Sequence, residues 1–154
     1  MSRRDEIKLT DDELRELLDS ERILTIASNG RDGHPHLMPM WFVSRDDGLF
    51  CWTYGKSQKV RNLERDPRCT LQVEAGEAVY AELRGLMIEA EAVIHRDLDT
   101  VAGVGAALAE RYGGAQSTPE TMEAMRRQAA KRVALEFVER RRASWDHRKL
   151  GGGY

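Results

Sequence analysis

The hydrophobic pattern switches between two periods along the chain. It starts helical. Leu14, Leu17 and Leu18 fall on one face of a helix expected over Asp11 to about Asp19, with Thr10 as its cap. Then it turns to strands. Arg22 to Ser28, carrying Ile23, Leu24 and Ile26, reads as the first, and Asn29-Gly30 supplies a tight turn that extends through Asp32-Gly33. His36 to Val43 returns as a second strand. Asp46-Asp47-Gly48 turns again, and Leu49 to Tyr54 forms a third. In the fourth, Cys69, Leu71 and Val73 alternate with polar residues, the mark of a half-buried strand.

A fifth strand is expected over Val79 to His95. Val79, Ala81 and Leu83 share one parity, and Leu86, Ile88, Ala90, Ala92 and Ile94 the other. The switch falls at Gly85, where a bulge or sharp bend would keep the apolar side on one core while the strand turns. Two helices follow. Asp97 to Tyr112 carries Leu98, Val101, Val104 and Leu108 at helical spacing, and a second begins at Ser117-Thr118-Pro119-Glu120. Met122, Met125 and Ala129 form its apolar stripe, which reads more simply as packing than as ligand contact. A last strand runs from Val133 to about Trp145. Five or six mostly antiparallel strands with few helices point to a closed or split β-barrel with flanking helices, not a doubly wound sheet.

Size fits one domain over residues 1–154, with 1–8 and 148–154 expected to be flexible, including the Gly151-Gly152-Gly153-Tyr154 tail. The chain has 41% hydrophobic and 32% charged residues and a net charge of −2, so nothing draws it as a whole to nucleic acid or membrane, and any anion site must be local. The start, Met-Ser-Arg-Arg-Asp-Glu, is read as neither a secretory nor a twin-arginine signal, and no stretch has the length of a membrane span. Cys51 and Cys69 lie in separate strands and read as buried free thiols of a cytoplasmic protein.

The densest local signal runs from Thr53 to Pro67. An apolar strand ends, Gly55 hinges, Ser57 offers a helix cap, and a short helix stops before Pro67. A helix start presents unpaired N–H groups and partial positive charge. Lys56, Lys59 and Arg61 crowd around this one, the makings of a phosphate site. A solvated basic turn balanced by Glu64 and Asp66 is the plainer reading of the same residues. No Gly-x-Gly-x-x-Gly or phosphate-binding loop motif, no Gly-x-Ser-x-Gly elbow and no Ser-His-Asp set is present. His34 and His36 share a strand face, but no third metal ligand stands out, so no metal is expected. Arg140-Arg141-Arg142 reads as a solvated face or as a basic rim for an acidic ligand tail.

Four segments carry a family resemblance: Ile23-Leu24-Thr25-Ile26-Ala27-Ser28 with its turn; His36-Leu37-Met38-Pro39-Met40-Trp41-Phe42; Lys56-Ser57-Gln58-Lys59-Val60-Arg61-Asn62-Leu63 ending in Asp66-Pro67; and Ala143-Ser144-Trp145-Asp146. Together they resemble the flavin-binding split-barrel superfamily that includes the pyridoxamine 5'-phosphate oxidases. They are most similar to its actinobacterial flavin/deazaflavin oxidoreductases, which use coenzyme F420. The resemblance implies a split-barrel homodimer with the cofactor groove at the subunit interface. It implies that Lys56, Ser57, Lys59 and Arg61 grip the cofactor phosphate, that Met38, Pro39, Met40 and Trp41 face the ring, and that Trp145 reaches the partner's site. It implies hydride transfer between reduced F420 and an electron-poor small molecule such as a conjugated tetrapyrrole, quinone or enone. FMN is the alternative cofactor, and a non-catalytic binder of flavin, F420 or a haem-type ligand is the alternative role.

Overall fold

The structure, a computed structural model, describes residues 2–45 and 48–151. The turn expected at Asp46-Asp47 and the last three residues of the tail lie outside them. The helices are α1 (Arg3–Glu6), α2 (Asp11–Ser20), α3 (Gln58–Arg65), α4 (Leu98–Gly113) and α5 (Pro119–Ala129). The strands are β1 (Leu24–Asn29), β2 (Pro35–Met40), β3 (Phe42–Arg45), β4 (Gly48–Tyr54), β5 (Arg68–Ala75), β6 (Arg84–His95) and β7 (Arg132–Asp146). All pair antiparallel in one sheet of order β2-β1-β5-β6-β7-β4-β3.

That order fixes the shape. β2 and β3 lie at opposite edges of seven strands, yet Trp41 alone separates them in the chain. A flat sheet cannot meet this constraint, so the sheet curls until its edges meet at Trp41. β2 pairs with β1 and β3 with β4, and the two edges do not pair with each other among the described residues. The barrel is therefore split along this seam.

The continuous strand expected over His36 to Val43 is thus two strands. Its apolar run masks a break in alternation: Phe42 and Val43 are both buried, Phe42 inside the barrel and Val43 under α4. The strand expected from Val79 also begins later. Tyr80–Glu82 is a 3-10 turn, and Gly76 at φ +102 starts the reversal before it. Gly85 is no bend. A Cβ there would lie 2.4 Å from Trp145 Cζ2 and 2.9 Å from the Val73 carbonyl oxygen, so this glycine makes room for the Trp145 ring. The register shift lies further along, between Glu89 and Ala90, where their partners Arg141 and Glu139 leave Arg140 unpaired as a bulge in β7.

Two apolar clusters result. Leu24, Ile26, Leu71, Leu86 and Leu135 fill the barrel, closed by Leu14 and Leu17 of α2 and by Val60 and Leu63 of α3. Val101, Val104 and Leu108 of α4 and Ala129 of α5 cover Val43 and Ala134 on the outer surface, with Met122 and Met125 packed beside them, as the stripe predicts. α2 has its expected cap: Glu13 N–H donates to Thr10 Oγ1 at 3.3 Å and Thr10 N–H to Glu13 Oε2 at 2.7 Å. Lys149 Nζ reaches the same carboxylate at 2.6 Å, and Leu9 N–H donates to Ser144 Oγ, so the two chain ends pack together. No helix among the described residues is long and apolar enough to cross a membrane.

Candidate functional site

The site is built around α3. Ser57 caps it in extended conformation and accepts the Arg61 N–H through its carbonyl at 3.2 Å. Val60 and Leu63 bury the helix against the barrel, each worth about 1.5–3 kcal/mol. Asn62 locks it sideways: its Nδ2 donates to Ser28 Oγ at 3.1 Å and its Oδ1 accepts from Gln58 Nε2 at 2.9 Å. The same inward face carries Lys59.

Lys59 is 7% exposed, and its Nζ donates to Thr53 Oγ1 at 3.0 Å. No carboxylate pairs with it among the described residues. Burial holds its pKa below the ordinary lysine value. The neighbouring Cys51 thiol is pushed up by burial too, so it offers no counter-charge. A buried ammonium with one neutral acceptor is an incomplete electrostatic arrangement, and an incoming anion would complete it.

Lys59 faces a cleft of about 430 Å³ between the split seam and the α4–α5 pair. Pro39, Met40 and Trp41 form one side, and Trp52 and Thr53 the floor. α4 comes so near that a Cβ on Gly105 would lie 2.9 Å from Trp52 Cζ2. Arg132 adds a second cation, its guanidinium 4.2 Å from the Trp52 ring and 4.3 Å from the Tyr54 ring. The lining includes two cations and no carboxylate, in a chain whose net charge is −2. Trp52 Nε1 and Ser57 Oγ are buried without a hydrogen-bond partner. Aromatic walls, cations without counter-charges and the orphaned Trp52 Nε1 in the lining, with the orphaned Ser57 hydroxyl two residues from Lys59 in the chain, suit a flat anionic ligand.

The seam is held from outside the barrel. Trp41, 56% exposed, stacks on Tyr112 at 4.4 Å and 12°. The Tyr112 hydroxyl accepts the Phe42 N–H at 3.1 Å and lies within donating distance of the Phe42 and Arg22 carbonyls. Arg111 donates to the carbonyls of Phe42 and Glu21 at 2.7 and 2.9 Å. The end of α4 thereby fixes the backbone at the point where the barrel edges meet.

Of the residues expected at the site, Pro39, Met40, Trp41 and Lys59 come together in the cleft. Met38 is exposed on β2, opposite Ile26. Lys56 and Arg61 are exposed around the start of α3, and Ser57 keeps its orphaned hydroxyl there. Trp145 does not join them within the chain; it lies on Gly85, at the other end of β7 from Arg132. The Arg140–Arg142 run is paired off with Glu91, Glu89 and Glu139, so it forms no net basic rim. His34 and His36 line a separate recess with Arg31 and Asp32 on the far side of α3. Trp52, Gly105 and Arg132 were not anticipated. Trp52 and Arg132 are 80 positions apart in sequence, and only the β4–β7 register brings them together.

Comparison with known proteins agrees with this architecture. The model of a family described as pyridoxamine 5'-phosphate oxidase matches residues 10–142. Among solved structures, the conserved hypothetical protein Rv2991 from Mycobacterium tuberculosis is 38% identical with a TM-score of 0.90, covering 100% of this chain and 95% of that one. The heme storage protein HutZ from Vibrio cholerae has a TM-score of 0.68 at 20% identity, over 88% of this chain and 93% of its own. An F420 reductase has a TM-score of 0.64 at 23% identity, over 84% and 94%. The last two share the fold. No curated protein matches the chain.

Proposed function

Because the chain belongs to the pyridoxamine 5'-phosphate oxidase family, we propose that its cleft holds coenzyme F420 and that it is an F420-dependent oxidoreductase acting on an electron-poor small molecule. The observation that carries this reading is the cleft itself: a buried Lys59 with no acid partner among the described residues, lined with Trp41 and Trp52 and with no carboxylate in the lining. When bound, the deazaflavin supplies hydride chemistry, and the acceptor is a conjugated tetrapyrrole, quinone or enone. The chain's own residues hold and orient. Lys59 and the Ser57 hydroxyl take the phosphate, with Lys56 and Arg61 at the open end of α3. The Pro39–Trp41 segment, fixed by Tyr112 and Arg111, presents its backbone to the ring. Trp52 and the α4 wall exclude water from one side of the cleft.

F420 is preferred over FMN because the segment from Lys56 to Pro67 resembles the deazaflavin branch. FMN presents a similar ring and phosphate to the same residues. The exposure of Leu37 (60%) and Trp41 beside the cleft supports a homodimer with the groove at its interface, and the buried thiols suit a cytoplasmic setting. A second reading, storage or carriage of a flavin, deazaflavin or haem-type ligand, is kept by the fold shared with the heme storage protein. Separate titrations with F420 and FMN, followed by turnover of reduced F420 against quinone, enone and tetrapyrrole acceptors, test the proposal. Tight F420 binding with turnover is the expected result. Binding without turnover favours the carrier, preferential FMN binding moves the chain to the flavin branch, and binding of neither overturns the proposal.

A further inference from the structure

Arg132 is the odd residue of the cleft. It begins β7 directly after the turn that ends α5, and the register sets it opposite Tyr54. Its guanidinium lies between the rings of Trp52 and Tyr54, 4.2 and 4.3 Å from their centroids. One Nη2 hydrogen bond, a long one of 3.4 Å to the Tyr54 hydroxyl, is its sole hydrogen bond among the described residues. No carboxylate pairs with it among the described residues, in contrast to Arg96, Arg126 and Arg148, which each hold an acid.

A guanidinium carries five N–H donors in a planar fork. Two aromatic faces set that plane in advance, so most of the ordering cost of docking an oxyanion is already met. The fork matches a carboxylate bidentately, which an ammonium does not. The other cation, Lys59, belongs to a different element and stands with Ser57 at the start of α3, where a cofactor phosphate is expected. Arg132 stands on the α5–β7 side, beside the apolar wall of Leu108 and Met125. One phosphate does not call for both, and an acidic tail on F420, which FMN lacks, would show itself on replacing Arg132 as a loss of F420 affinity without a loss of FMN affinity.

We infer that Arg132 anchors a carboxylate of the second ligand, so that the substrates are flat conjugated molecules bearing a carboxylate group. This rests on the cofactor reading above and adds the substrate class to it. Arg132 is a specificity determinant in this account: it selects the ligand that enters beside the cofactor and leaves the cofactor's own affinity unchanged.

The test uses 2-naphthoate and its uncharged isostere 2-naphthamide as flat probes. Their binding to the full chain is measured by calorimetry, free and saturated with F420 or FMN, for wild type, Arg132→Gln and Arg132→Lys. FMN and F420 affinities and melting temperatures are measured on the same three proteins. Wild type is expected to prefer naphthoate by about tenfold or more. Arg132→Gln should erase the preference, and Arg132→Lys should recover only part of it, with cofactor affinities held within about twofold of wild type. If Arg132→Gln fails to fold, the reduced preference of Arg132→Lys carries the test. No preference in wild type, a preference undiminished in the variants, or a parallel loss of affinity for either cofactor would overturn the inference. If wild type binds neither F420 nor FMN, the cofactor reading fails separately, while the naphthoate preference is still read on the free chain.

Discussion

Replacing Lys59 with methionine should make the protein more stable and a poorer binder at once. Methionine keeps the unbranched apolar stem and removes the charge. The lost hydrogen bond to Thr53 costs about 0.5–1.5 kcal/mol. Against this, the Lys59 side chain is 7% exposed with no acid partner among the described residues, and replacing even a paired buried charge by apolar volume is neutral or stabilising, by up to about 4 kcal/mol. The balance is a gain of about 1–2 kcal/mol, or about 2–8 °C in melting temperature for a chain of this size. The gain should depend on pH. Burial sets the folded pKa of Lys59 below its ordinary 10.5, so the cost of the charged form is fully present below the folded value. That cost disappears as pH rises toward 10.5, and the wild type should close the gap with Lys59→Met over that window. Loss of one charged contact should weaken F420 or FMN by about 1.5–3 kcal/mol, roughly 10- to 150-fold. Thermal melts from pH 6 to 10.5 and calorimetric titrations read both effects. A variant that melts lower than wild type and binds both cofactors as well as wild type does would show Lys59 to be a structural donor to Thr53 and no anion anchor.

Three further outcomes follow from the packing. Tyr112→Phe leaves the buried side of the seam without the acceptor for Phe42 N–H, and should cost about 1–3 kcal/mol, read by denaturant unfolding alongside a shift in Trp41 emission. Gly85→Ala forces a Cβ into the Trp145 ring and the Val73 carbonyl, and should destabilise by about 1–3 kcal/mol, while cofactor affinity stays at the wild-type value; a fall in affinity would show that Trp145 serves a partner's cleft. Cys69 is pushed up to about 12 and Cys51 higher still by burial, so neither should react with a thiol reagent at pH 8 until the chain unfolds, and labelling should follow the unfolding curve.

How much of this was legible in the sequence depends on whether the cause is local. α2 and α5 could be read because Thr10 and Thr118 each cap a helix within three residues of themselves, and α4 because Leu98, Val101, Val104 and Leu108 recur at helical spacing. β5 could be read because Cys69, Leu71 and Val73 alternate against a single core. The split at Trp41 could not. Met40, Phe42 and Val43 are uniformly apolar, and the difference between facing the barrel and facing α4 has no sequence signature. At Gly85 the pattern points to a bulge or bend, but the bulge lies at Arg140 instead, and the need to admit the Trp145 ring is invisible until β6–β7 pairing sets Trp145 opposite. The site divides in the same way. Lys59 was found because the α3 segment is compact and basic. Arg132 was missed because its partners, Trp52 and Tyr54, come to it through β4–β7 pairing and its place in the cleft depends on where α5 ends.

In the reading proposed above, the cleft lined by Trp41, Trp52 and Lys59 holds an anionic ring cofactor. A crystal structure of the wild-type protein grown with saturating F420 is the decisive measurement. Ring density in that cleft with an oxyanion on Lys59 is the predicted result. A cofactor bound elsewhere, for example in the recess of Arg31, His34 and His36, with Lys59 still donating only to Thr53, would contradict it.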